Sequence, residues 1–331
     1  MKSLFLGSVT ERSGKSMVTL GLALNYPGKV GYFKPFKEML MNDSEKLVDQ
    51  DAFLMKKALK LHCDEERLSP FIYDVLRPMD MSAIVEAFDL VKGESELMLV
   101  EGTRDITSGF LQDVSGMAIA EALKAEIVLV SSTTPCALDR IALLVQLMRS
   151  YNVKFKGVVL NMCDSPHPKA LLKEKGIKVL GVLPEAPDLK RFTVREVVDA
   201  MNAEVIVEDG LDNVVEEVMI GAMTPETAIK YLRRVSRKAL ITGGDRSDIQ
   251  MAALETDTSC LVLTGGLYPA KQVIAKSYEK GVPILLTQYD TLETSEMIDH
   301  LIARIDPEDS AKMERIKGLV RENIDLDEVW G

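Results

Sequence analysis

The chain has 331 residues, long enough for two domains that each bury a core. Hydrophobic residues make up 47% and charged residues 27%, as in a globular protein, while aromatics at 5% leave aliphatic side chains and 17 Met to fill the interior. A formal charge of −11 opposes nucleic acid or an anionic membrane as a partner, yet allows a small anion at a locally positive site.

Cys63, Cys136, Cys163 and Cys260 form no CxxC pair and read as reduced thiols of a cytoplasmic protein. The N-terminal apolar stretch is too short for a signal peptide, and no run reaches the roughly 18 apolar residues of a membrane helix.

Strand-type runs alternate with helical patterns along the first half. Strands are expected at 3–8, 29–34, 96–102, 126–132, 156–161 and 178–183, with helices at 15–25, about 45–61, 80–92, 115–124, 137–150 and 168–175. Such alternation implies an α/β fold with a parallel sheet and helices on both faces. The first strand runs into Val9-Thr10-Glu11-Arg12-Ser13-Gly14-Lys15-Ser16 and then a helix. Gly14, Lys15 and Ser16 match the end of the P-loop pattern, in which backbone N–H groups cradle phosphates, the Lys reaches the outer phosphates and the hydroxyl meets Mg²⁺. The first Gly of that pattern is displaced: Val9 stands where it is expected, and the nearest glycine upstream is Gly7.

Ligands of parallel sheets bind outside the carboxyl ends of the strands. Lys34 ends the second strand, Glu101-Gly102-Thr103 the third and Asn161-Met162-Cys163-Asp164 the fifth. A carboxylate at Glu101 suits Mg²⁺, and an amide at Asn161 suits a base edge. Pro184 and Pro187 mark a boundary near 185–192.

A second α/β unit follows, with helices at 193–202, 225–234, 246–255, 270–280 and 291–304, apolar runs at 204–207 and 214–223, and strands at 238–242, 260–264 and 282–287. It holds an internal echo: Thr242-Gly243-Gly244 and Thr264-Gly265-Gly266 each join a strand to a helix, which would set two tight turns at one sheet edge. Arg246 and the N–H groups after Gly266 are candidates to hold an anion, or Asp245 caps the helix and Arg246 pairs with a carboxylate. Residues 306–331 form a charged tail, helical around 308–322, with the only Trp at 330.

The phosphate loop, Tyr32-Phe33-Lys34-Pro35, Asp51 (or Asp49), Glu101-Gly102, Asn161 and Leu180-Gly181-Val182-Leu183-Pro184 together resemble dethiobiotin synthetase and the related N-terminal domain of long phosphotransacetylases, within the group that includes cobyrinic acid a,c-diamide synthase. The resemblance covers 1–188 and implies a P-loop nucleotide-binding domain. ATP would be held by Thr10, Ser13, Gly14, Lys15, Ser16 and Asn161, and Mg²⁺ by Ser16, Asp51 and Glu101. Lys15, Lys34 and Glu101 would be the catalytic group, and pairing into a homo-oligomer is implied. Two departures stand against dethiobiotin synthesis itself: Val9–Ser13 replaces the family's Thr-Asp-Thr run, and Thr103-Arg104 follows Glu101-Gly102.

Residues 189–305 resemble a DRTGG domain through Asp245-Arg246 and Thr264-Gly265-Gly266. That company implies a nucleotide-sensing regulatory protein. The alternative is an ATP- and Mg²⁺-dependent ligase that activates a carboxylate or carbamate metabolite.

Overall fold

The computed structural model describes residues 1–43 and 46–331, in two compact units: Met1–Glu185 with Ile305–Gly331, and Ala186–Arg304. The first unit opens with β1 (Lys2–Ser8), α1 (Lys15–Asn25), β2 (Val30–Phe33), β3 (Phe36–Lys37), β4 (Leu40–Asp43), β5 (Lys46–Asp49), α2 (Gln50–Leu59), α3 (Glu65–Leu68) and β6 (Phe71–Ile72). It continues with α4 (Met81–Lys92), β7 (Leu97–Glu101), α5 (Gly116–Ala122), β8 (Glu126–Ser131), α6 (Pro135–Met148), β9 (Phe155–Leu160), α7 (His167–Glu174) and β10 (Val179–Val182).

Six strands form one parallel sheet in the order β10-β9-β8-β1-β7-β2. Their apolar runs are buried on both faces, as parallel strands covered by helices must be. From β1 the chain moves out to β2, returns to insert β7 and then crosses to β8, so the order reverses at β1. In open parallel sheets ligands bind at such a reversal, outside the carboxyl ends of the strands, here β1, β7 and β8. The helix expected over about 45–61 is shorter: Glu45 lies outside the described residues, and Lys46–Asp49 pairs with Leu40–Asp43 as a hairpin. Asp49 stops the hairpin and starts α2, because its carboxylate accepts the N–H groups of Asp51 and Ala52.

The second unit comprises β11 (Phe192–Thr193), α8 (Val194–Met201), β12 (Glu204–Val207), β13 (Val214–Val215), β14 (Glu217–Ile220), α9 (Pro225–Leu232), β15 (Lys238–Gly243), α10 (Ser247–Leu254), β16 (Thr258–Thr264), α11 (Lys271–Lys280), β17 (Ile284–Leu286) and α12 (Thr291–Ala303). Its sheet runs β12-β17-β16-β15-β14, parallel except at β12, which pairs antiparallel with β17.

The C-terminal segment belongs to the first unit. It forms α13 (Ser310–Asn323) and α14 (Leu326–Trp330) and packs into the first unit. Ile316, Leu319 and Val320 are buried on α13 at spacings that share one helix face, and that face meets α1 at Gly21. A Cβ on Gly21 would lie 2.3 Å from Val320 Cγ2. Asn25 Nδ2 bonds the Lys317 carbonyl at 2.9 Å, and Trp330 meets the edge of Tyr26 with ring centroids 5.2 Å apart. No helix among the described residues is long and apolar enough to cross a membrane. Gly21→Val, which drives a branched side chain into Val320, is expected to lower stability by about 1–3 kcal/mol. Denaturant unfolding followed by the fluorescence of Trp330 checks this.

Candidate functional site

The chain leaves β1 at Ser8 and stays buried through Val9, whose N–H bonds the Val130 carbonyl of β8 at 3.1 Å. Gly7 belongs to the strand, where a Cβ would meet Ile106 Cδ1 at 2.6 Å. Packing therefore requires that glycine, and Val9 in place of a loop glycine anchors the loop to the sheet. Thr10 is half-buried in the bend that follows, and Ser13 is buried with its Oγ donating to Ser8 Oγ at 3.1 Å.

Gly14 then takes a left-handed conformation, φ 82°, as the N-cap of α1, and no side chain caps the helix. The residue must be Gly twice over, since a Cβ would also fall 2.1 Å from Asn161 Nδ2. Asn161 follows β9, and its Nδ2 donates to the Ser13 carbonyl at 2.9 Å. The amide expected to face a base is thus engaged in holding the loop.

The strand register brings the other groups together. Phe33 lies opposite Val100, so Lys34 and Glu101 emerge from β2 and β7 at one level, beside the start of α1. Glu101 is fully buried. Its Oε1 accepts the Ser16 hydroxyl at 2.7 Å and lies 3.6 Å from Lys15 Nζ, and its Oε2 accepts the Tyr32 hydroxyl at 3.0 Å. Lys15 Nζ also donates to the carbonyls of Gly102 and Thr103, the latter at 3.1 Å. Lys34 is 1% exposed and donates to Asp51 Oδ2 at 2.6 Å and to both Asp49 oxygens at 3.0 and 3.2 Å.

Asp49, weighed as second to Asp51, joins it on the same ammonium. Glu38 was not foreseen: its Oε2 lies 3.9 Å from Lys15 Nζ and 3.7 Å from Lys34 Nζ. The one sequence cue was Pro35, which stops the strand pattern shortly before Glu38. Tyr32, quoted for resemblance only, also proves to touch the cluster.

Four carboxylates thus surround two ammonium groups. Burial pushes the Glu101 carboxyl up to about 7, the charge of Asp51 adds to this, and Lys15 and Lys34 oppose it. Burial also disfavours charge on Asp51, but Lys34, Lys15 and Ser16 outweigh it and hold its carboxyl below the usual range. For Lys34, burial is outweighed by Asp51, Asp49, Glu101 and Glu38, which raise its affinity for the proton. Tyr32 is held well above its ordinary range by burial and by the Glu101 charge.

The arrangement suits the phosphates of a nucleotide with a hard cation. The first-turn N–H groups of α1 meet no capping side chain, and Lys15 begins that helix. Among the described residues no three His, Cys, Asp or Glu side chains converge as a ready-made metal cluster. Mg²⁺ beside phosphates needs only one or two carboxylates, and Glu101 accepts the Ser16 hydroxyl while Asp51 lies on Lys34.

In the second unit Gly243 of β15 pairs with Thr264 of β16, which sets the two Thr-Gly-Gly turns side by side. A Cβ on Gly244 would lie 1.6 Å from the Leu267 carbonyl, and Gly265 and Gly266 are both left-handed, φ 76° and 65°. Thr264 Oγ1 meets Thr291 Oγ1 at 3.2 Å. Asp245 is exposed and makes no cap to α10, while Arg246 donates to the Met223 carbonyl at 2.9 Å and lies 3.4 Å from Asp248.

A family model described as an AAA domain matches residues 2–193, and one described as a DRTGG domain matches 196–301. The phosphate acetyltransferase of Synechocystis sp. is 25% identical over 98% of this chain and 50% of its own length. The chain spans about half the length of the phosphate acetyltransferases it matches over nearly its whole length. The ATP-dependent dethiobiotin synthetase of Nitrosopumilus maritimus is 23% identical over 60% of this chain and 95% of its own. The septum site-determining protein MinD of Pyrococcus horikoshii, solved with Mg-ADP, matches 57% of this chain and 83% of its own, with 18% identity and a TM-score of 0.39.

Because Glu101 is harder to ionise in the fold than in an unfolded chain, the folded state binds the extra proton between about 4.5 and 7. The stability from that proton is fully present below the unfolded value and is lost as pH rises through 7. Glu101→Gln is therefore expected to raise the melting temperature of the ligand-free protein at pH 8, by a stabilisation of at most about 3 kcal/mol that fades towards pH 5. Thermal melts across that range check it.

Proposed function

Since the chain belongs to the AAA domain family over residues 2–193, with a DRTGG domain behind it, we propose that it binds ATP with Mg²⁺ and works as a nucleotide-sensing regulatory protein. The observation that carries the reading is the uncapped start of α1 at Gly14, with Lys15 and Ser16 turned onto Glu101. In this reading the N–H groups of the Ser13–Ser16 turn receive phosphate oxygens. Lys15 leaves the carbonyls of Gly102 and Thr103 for the outer phosphates. Ser16, Asp51 and Glu101 would hold Mg²⁺, which neutralises phosphate charge in a site already rich in carboxylates.

Several points favour sensing over turnover. Lys34, which with Lys15 would stabilise developing phosphate charge in a ligase, is enclosed by Asp49 and Asp51 rather than presented to a substrate. Asn161 holds the loop by its Nδ2. In the DRTGG unit Arg246 is taken up by Met223 and Asp248. A cytoplasmic location and a homo-oligomeric state belong to the same reading, and light scattering with and without nucleotide tests the latter.

Calorimetric titration is expected to give ATP binding that requires Mg²⁺ and is lost by at least about tenfold in Lys15→Ala, with phosphate release far below an enzyme's usual turnover of about 10 per second. Equal binding by wild type and variant overturns the nucleotide site. Sustained phosphate release stimulated by a carboxylate or amine metabolite favours the ligase instead.

A further inference from the structure

Glu38 is the group in the site that a phosphate-loop pattern does not explain. It lies just beyond Pro35 and the short β3, and both its ends are fixed. Its N–H donates to Asp49 Oδ2 at 2.9 Å, and its Oε1 accepts the Arg104 N–H at 2.6 Å. Its Oε2 lies between the two ammonium groups, 3.9 Å from Lys15 and 3.7 Å from Lys34, and the side chain is 14% exposed.

An anionic oxygen flanked by the P-loop lysine and a second buried lysine, with a backbone N–H on its partner oxygen, is the acceptor geometry a phosphate would use. Among the described residues Lys15 Nζ meets the carbonyls of Gly102 and Thr103 and the carboxylates of Glu101 and Glu38. A nucleotide's outer phosphate cannot add to that arrangement. It would bring like charge into contact with Glu38 where little water screens it.

We propose that Glu38 is a built-in occupant of the outer-phosphate position, displaced when a nucleoside triphosphate binds, and that it therefore sets the preference of the site between tri- and diphosphate. The inference rests on the nucleotide-binding reading above. The α- and β-phosphates lie in the loop cradle and leave Glu38 in place. The γ-phosphate needs the place beside Lys15. Displacement also releases the Arg104 N–H, so the segment after β7 and the segment after β2 respond together to the terminal phosphate.

The test compares ATP and ADP, each with Mg²⁺, on wild type, Lys15→Ala, Glu38→Gln and Glu38→Ala. Glu38→Gln keeps the size and the acceptor for Arg104, and the bond from the residue-38 N–H to Asp49 survives both substitutions. Removing the competing charge is expected to tighten ATP by about tenfold while ADP changes by less than about threefold. Tightening of ATP alone, in either Glu38 variant, supports the proposal. Equal tightening of both nucleotides, no change, or weaker ATP binding overturns it. If neither wild type nor the Glu38 variants bind nucleotide, the nucleotide reading and the displacement fall together. If wild type binds ATP through Lys15 and the Glu38 variants gain nothing, the displacement alone falls.

Discussion

Lys34 keeps a full positive charge where almost no water reaches it, and the architecture of the site follows from what that charge demands. A buried ammonium is tolerated only when carboxylates surround it, and removing one partner of such a pair costs about 3–5 kcal/mol. Asp49 and Asp51 supply that surround, with Glu38 at the edge. Asp49 does this while capping α2 and accepting the Glu38 N–H. One ion-pair cluster therefore joins the end of β2, the close of the β4–β5 hairpin and the start of α2.

That cluster carries more negative charge than its two lysines balance, and Glu101 absorbs the imbalance. It is the carboxyl whose ionisation burial and Asp51 disfavour, although Lys15 stands beside it. A cation with phosphates would relieve the conflict, since it adds positive charge where the excess lies. The loop is held by a different set of contacts. Val9 is fixed to β8, Gly14 adopts a conformation open mainly to glycine, and Asn161 reaches from β9 to the Ser13 carbonyl. A P-loop lacking the first glycine of its pattern is thus kept in shape by the neighbouring strand ends.

The second unit illustrates how repeated sequence becomes one feature. The two Thr-Gly-Gly turns lie side by side because β15 and β16 are adjacent and parallel, and Gly244 exists to let the Leu267 carbonyl pass. Arg246, the one cation in these turns, is committed to Met223 and Asp248. The N–H groups of Gly265 and Gly266 donate to the carbonyls of Tyr289 and Thr287.

The sequence by itself determined the alternation of strands and helices, the parallel sheet of the first unit, and Gly14-Lys15-Ser16 at the end of β1. Each of these is local: apolar period, turn residues and a motif placed between a strand and a helix. It also marked Lys34, Glu101 and Asn161, because strand ends of a parallel sheet share one edge. Tertiary structure alone decided the rest. The hairpin before α2 was hidden because its apolar spacing also suits a helix, and only pairing across the chain distinguishes the two. The packing of α13 on α1 joins residues about 300 apart, through a glycine whose meaning lies in its missing Cβ. Glu38 was invisible for the same reason: a glutamate after a proline has no signature until the fold sets it between two lysines.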